Sequence, residues 1–161
     1  MSGRQSWREI VASALDWREA HASFDAAVAE LPVALRGRRP EGLPYSPWEL
    51  LEHLRIAQHD LVEFMENPAY ESPRWPDDYW PGTPVPPNAD AWDASVEHYR
   101  RDRERLQQIA IRSSLDLTSK IPWGNGQTYL RTLLLALDHT AYHVGQLVAV
   151  RRLLGAWKEG A

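Results

Sequence analysis

Seven of the twelve prolines in this 161-residue chain fall between residues 68 and 87. Proline lacks the backbone N–H that a helix interior needs, and its ring collides with the preceding turn. No helix can cross that stretch, so the helical parts of the chain must lie on either side of it. Tyr70, Trp75, Tyr79 and Trp80 fall in the same stretch, which makes it too aromatic for a disordered linker. The expectation is an ordered loop lying across the helices, placed to wall or lid a pocket.

Outside that loop, four segments carry the i, i+3, i+4 apolar repeat of amphipathic helices. The first runs from about Trp7 to Leu31 and opens on Ser6 and Glu9, an S-x-x-E capping box. The second starts at Ser46-Pro47-Trp48-Glu49, with Ser46 as cap, Pro47 at the first helical position and Glu49 closing the box. It ends near Asn67-Pro68, because proline disfavours helical geometry in the residue before it. The third spans about Ala89 to Arg112, with Trp92, Val96, Tyr99, Leu106 and Ile109 inward. Its run from Arg100 to Arg105 alternates in sign, as a solvated helix face does. Asn125-Gly126, flanked by Ile121-Pro122-Trp123 and Tyr129, suits a tiny hairpin. The fourth helix runs from about Thr128 to Leu154 and stops at Gly155. Arg151 and Arg152 suit the negative end of its dipole. The expected fold is all-α, a four-helix bundle with a long Pro/Trp-rich loop between helices two and three, residues 1–161 forming one domain.

Composition narrows the chemistry. The chain has no cysteine, which removes disulfides, thiolate nucleophiles, iron–sulfur clusters and Cys-ligated zinc. Any metal must be held by His, Asp or Glu. A formal net charge of −4 argues against a nucleic-acid surface. No stretch reaches the roughly 18 apolar residues of a membrane span, and the opening MSGRQSWREI lacks the apolar run of a leader peptide. The expected setting is cytoplasmic, with a small-molecule substrate and neither nucleic acid nor membrane as partner.

The fourth helix is apolar nearly all round, which predicts burial, yet His139 and His143 sit in its middle. At about 100° per residue their imidazoles lie on one face, one turn apart. Spacing alone is weak evidence; the placement among leucines is what gives it weight. A third imidazole, His53, borders the apolar stripe of helix two, between Leu50 and Ala57. His59, six residues on, points about 240° away and belongs to the surface, and His21 and His98 also look like helix-face residues. Two readings of His53, His139 and His143 stay open at this point. They are hydrogen-bonded core histidines, or they form a three-imidazole metal site with open coordination positions, the catalytic pattern rather than the structural one. Glu49 is either an outer carboxylate of that site or simply the capping residue, and Gln146 either orients a ligand or packs.

The run LRTLLLALDHTAYHVGQLVAVRRLLGAW, residues 130–157, resembles the C-terminal helix of the DinB/YfiT-like proteins. Its His-x-x-x-His-x-Gly-Gln-Leu core and closing Arg-Arg-Leu-Leu-Gly match most specifically. The segment SPWELLEHLRIAQHDLVEF is similar to that family's second helix, whose single His is the other ligand. The resemblance implies a four-helix bundle that holds a divalent metal, zinc or nickel or else iron, on His53, His139 and His143. It implies a metal-dependent enzyme, a thiol S-transferase or hydrolase acting on a small molecule, with a low-molecular-weight thiol as cosubstrate and a homodimer as the assembly. The alternative is a non-catalytic helical binding module whose metal site is vestigial or stabilising. The Trp- and Pro-rich insertion lies outside the shared pattern.

Overall fold

The computed structural model describes residues 6–158; the first five residues, part of the stretch inspected for a leader, lie outside it, as do the last three. Five α-helices occur among the described residues: α1 (Trp7–Ala14), α2 (Phe24–Val28), α3 (Pro47–Glu66), α4 (Ala91–Ile111) and α5 (Tyr129–Leu153). No strand occurs among them; an isolated bridge pairs Lys120 with Thr128.

The first expected helix is two. It breaks after Ala14 and restarts at Phe24, where the Ser23 side chain accepts from Ala26 N at 3.2 Å. The intervening residues bend so that acidic groups reach α4. Asp16 Oδ1 accepts from Arg103 Nη1 at 2.8 Å, and Asp25 accepts from Arg100 Nε at 2.7 Å and from Arg103 Nη1 at 2.9 Å. A local cap competing with the helix and paired guanidiniums across the groove outweigh continuity of the helix. The α4 face expected to be merely solvated is therefore partly an interface, and Asp102 on it is only 2% exposed. Trp7 and Ile10, two of the apolar residues that carry the repeat of the first expected helix, are 49% and 46% exposed.

Helix α3 is the spine of the bundle. Both halves of the expected capping box form, with Ser46 Oγ accepting from Glu49 N and Glu49 Oε2 accepting from Ser46 N at 2.8 Å. Glu49 also receives the Arg39 guanidinium. Glu49 is thus a cap and an ion-pair partner. Leu50, Leu51 and Leu54 pack into one apolar cluster with Tyr99 and Leu147, while Val62 and Met65 pack into a second with Leu106 and Leu133. Each fully buried Leu contributes about 1.5–3 kcal/mol by leaving water. Because α3 contacts α4 and α5 on different sides, residues six apart along it face different neighbours.

Helix α5 is held at both ends. Thr128 caps it, and Leu130 N donates to the Leu117 carbonyl at 2.7 Å. The Asn-Gly turn closes as a minimal hairpin, with Ile121 N donating to the Gln127 carbonyl at 2.9 Å and Gly126 at φ 102. Gly155, at φ 68, follows the last turn. Contrary to the expectation of burial all round, Leu134, Tyr142 and Leu153 are 48%, 64% and 60% exposed. The other helices cover α5 from one side only, so a stripe of it meets solvent. Arg151 does not serve its own helix end alone. It is buried and donates to the carbonyls of Ala26, Ala27 and Ala29, placing a cation at the negative end of the short α2.

Candidate metal centre

The structure brings together the three residues that the sequence singled out. His53 comes from the middle of α3, and His139 and His143 from the middle of α5, one turn apart. His53 and His143 are buried and His139 is half-buried. The His53 Nε2 atom lies 3.1 Å from His143 Nε2 and 3.1 Å from His139 Nε2. Three ring nitrogens therefore point at one another from two helices.

Protons decide what such an arrangement can be. His53 Nδ1 lies 2.9 Å from the Tyr79 backbone carbonyl. A carbonyl only accepts, so Nδ1 carries the hydrogen and a neutral His53 presents a bare lone pair at Nε2. His143 Nδ1 lies 2.6 Å from Gln146 Oε1, which fixes the same tautomer and bares its Nε2 as well. Two lone pairs 3.1 Å apart repel unless a cation stands between them. The remaining escape, protonation, is disfavoured. Burial holds His53 down to about 4, opposed by its bond to Tyr79 and aided by His143. Burial, with His143 and His53 beside it, takes His139 to about 3. His143 is also lowered by burial, against the opposing bond to Gln146. His53 and His143 are thus neutral at physiological pH and hold their lone pairs inward, the state in which imidazole ligates metal, and His139, neutral as well, brings a third ring nitrogen to them.

The surrounding shell is aromatic. Trp80, from the proline-rich loop, stacks flat on His53 at 3.9 Å between centroids, and Tyr45 stacks on Trp80 at 4.4 Å. Tyr79, just before it, anchors the loop by donating from Oη to Asp60 Oδ2 at 2.8 Å. The loop is thus an ordered wall at the site through Trp80, whereas Trp75 is 69% exposed. Tyr142 meets the His143 ring edge-on at 4.9 Å and is largely exposed. Gln146 is a hydrogen-bond partner of a cluster member and not a packing residue. The Tyr79 carbonyl had no signal in the sequence, because any residue type offers one.

Among the described residues no carboxylate oxygen lies within 4.8 Å of all three nitrogens. The set is all-nitrogen and neutral, compatible with a divalent ion, and three protein donors leave at least one coordination position open. The elements thus define an all-α bundle with an imidazole cluster between two of its helices. The chain matches the DinB superfamily over residues 16–147, and it belongs to that superfamily. No curated protein and no solved structure matches it. No helix among the described residues is long and apolar enough to cross a membrane.

Proposed function

We propose that this chain is a metal-dependent enzyme of the thiol S-transferase or hydrolase type, acting on a small molecule at His53, His139 and His143. The observation that carries the reading is the convergence of neutral imidazole nitrogens 3.1 Å apart, with two tautomers held outward by the Tyr79 carbonyl and Gln146. Zinc, nickel or iron(II) suits such donors, and a divalent ion on three neutral ligands would supply Lewis acidity and lower the pKa of a bound water or thiol toward neutrality.

The chain's own residues do the rest. His53 is held by its bond to Tyr79 and by the flat stack with Trp80, so its nitrogen is aimed before any ligand arrives. Gln146 orients His143 in the same way. Trp80 and Tyr45 keep water from one side of His53. With no cysteine in the chain, a reacting sulfur must arrive on a low-molecular-weight thiol.

Elemental analysis of purified protein, followed by assays of the zinc and nickel forms against a panel of thiols with electrophiles and of small esters and amides, tests the reading. The expected result is metal-dependent turnover that His139→Ala removes. Metal binding that only raises thermal stability, with no turnover on any pair, would instead establish a non-catalytic binding module.

A further inference from the structure

A second group of donors lies on the α4 side of α3. His59 of α3, with His98 and Asp102 of α4, brings one ligand atom from each to within 4.8 Å of the others. His98 and Asp102 are one helical turn apart, so α4 presents both on one face. Asp102 Oδ2 lies 2.9 Å from His59 Nδ1 and 3.4 Å from His98 Nε2. Its other oxygen, Oδ1, accepts from Arg105 Nη1 at 3.0 Å. The Asp102 side chain is 3% exposed, whereas those of His59 and His98 are 34% and 31% exposed. A buried carboxylate is thus fronted by two imidazoles that reach solvent.

We propose that His59, His98 and Asp102 form a second divalent-cation site, suited to zinc, that clamps α3 to α4. Two imidazole nitrogens and one carboxylate oxygen are a familiar zinc donor set. Tetrahedral donors on metal bonds of 2.0–2.1 Å lie about 3.3 Å apart, and the present separations of 2.9 and 3.4 Å bracket that spacing. Arg105 ties Oδ1, so the carboxylate binds through Oδ2 alone, oriented by an outer hydrogen bond as ligating carboxylates are. Two of the neighbouring guanidiniums have their charge paired with acids, while Arg101 acts on His98 from the same helix. Arg105 is paired with Glu63 and Glu66, and Arg55 with Glu52. Burial also pushes His98 toward its neutral form, against the pull of Asp102 and with the help of Arg55. On binding, the ring hydrogens that now face Asp102 Oδ2 move to the ring nitrogens turned away from it, which bares His59 Nδ1 and His98 Nε2 for the cation. One cation enters, no proton has to leave, and the partial exposure of both rings leaves room for a water ligand.

The site is independent of the three-imidazole cluster, and zinc stoichiometry separates the two. Zinc chloride titrated into the full chain by calorimetry, with elemental analysis after gel filtration, is expected to saturate at two ions per chain. His98→Ala and His139→Ala should each lower that to one, and the double variant should bind none. Circular dichroism without metal checks that His98→Ala keeps its helix content, and His98→Gln repeats the test with more of the side chain kept. Two ions bound by both His98 variants would overturn the proposal. So would a wild-type chain that saturates at one ion removed by His139→Ala. A single ion that survives His139→Ala and is lost in the His98 variants would uphold this site while removing the three-imidazole one.

Discussion

Two histidine clusters flank one helix, and they solve opposite problems. His53 and His59 are six residues apart on α3, far enough round the helix that one faces α5 and the other α4. The α5 side has three rings, no carboxylate among the converging donors and an aromatic cover. Its hydrogens are drawn outward by Tyr79 and Gln146, and lone pairs are left facing one another. The α4 side has a carboxylate at its centre, so each of its contacts can be an ordinary hydrogen bond from a ring N–H. The first cluster is electrostatically unfinished without a cation. The second is satisfied without one and exchanges hydrogen bonds for metal bonds when one binds. Outer hydrogen bonds, more than the count of imidazoles, separate the two.

The largest effect should come from removing a ring of the first cluster. His139→Ala should abolish binding there, and with it the share of the zinc-induced stabilisation that this cluster contributes. That stabilisation is about 2.7 kcal/mol at a free concentration of 100 times the dissociation constant, and thermal melts with and without zinc measure it. An unchanged zinc-induced shift would show that the shift comes from the α4 side.

Acid should act strongly on the metal-free protein. Unfolded imidazoles take up protons below about 6.5, whereas His53 refuses them to about 4 and His139 to about 3. The unfolded chain therefore binds more protons in that window. Stability is full above pH 6.5 and falls as the pH drops toward the folded values, by about 1.4 kcal/mol per pH unit for each depressed imidazole. Urea denaturation from pH 7 to pH 4 reads the slope, and His53→Gln should flatten it. A flat wild-type profile would mean that the buried rings are protonated in the folded chain.

A smaller effect tests the outer hydrogen bonds. Gln146→Leu removes the partner of His143 Nδ1 without touching a donor nitrogen. Zinc affinity of the first cluster should drop about 10–100-fold, with the second unaffected. Equal loss at both would argue for a general change in the bundle. The smallest change is expected for Trp80→Ala. It strips the stacked face from His53 but leaves the Tyr79 hydrogen bond; beyond the apolar area it exposes, loss of the stack should lower stability by about 1 kcal/mol, measured by urea denaturation of Trp80→Ala beside Trp80→Leu. Equal stability of Trp80→Leu and the wild-type chain would show that the stack contributes nothing beyond burial.

Much of this was legible in the residues. The Ser46 box, Pro47 and the Asn67-Pro68 stop bound α3, and Thr128 with Gly155 bound α5, because caps and breakers act within a turn of where they stand. His139 and His143 share a face for the same reason, since i, i+4 geometry is local. The break between α1 and α2 was less legible. The apolar repeat has a gap between Leu15 and Phe24, and Ser23 can cap, but the ion pairs of Asp16 and Asp25 with α4 decide the matter, and they span more than seventy residues. His59, His98 and Asp102 looked like separate surface residues because they sit on two helices whose rotation about each other no local rule sets.

Where helices can start and stop, the lack of any cysteine ligand, and which imidazoles ride together on one helix can all be read along the residues. These follow from backbone sterics and from the 3.6-residue turn. Tertiary structure alone decided that His53 meets His139 and His143 nitrogen to nitrogen, that Trp80 covers it, and that Tyr79 supplies a carbonyl to set its tautomer. Those contacts depend on how whole helices pack and on where a loop lands, and packing is a property of the assembled surfaces of the chain, carried by no single stretch of it.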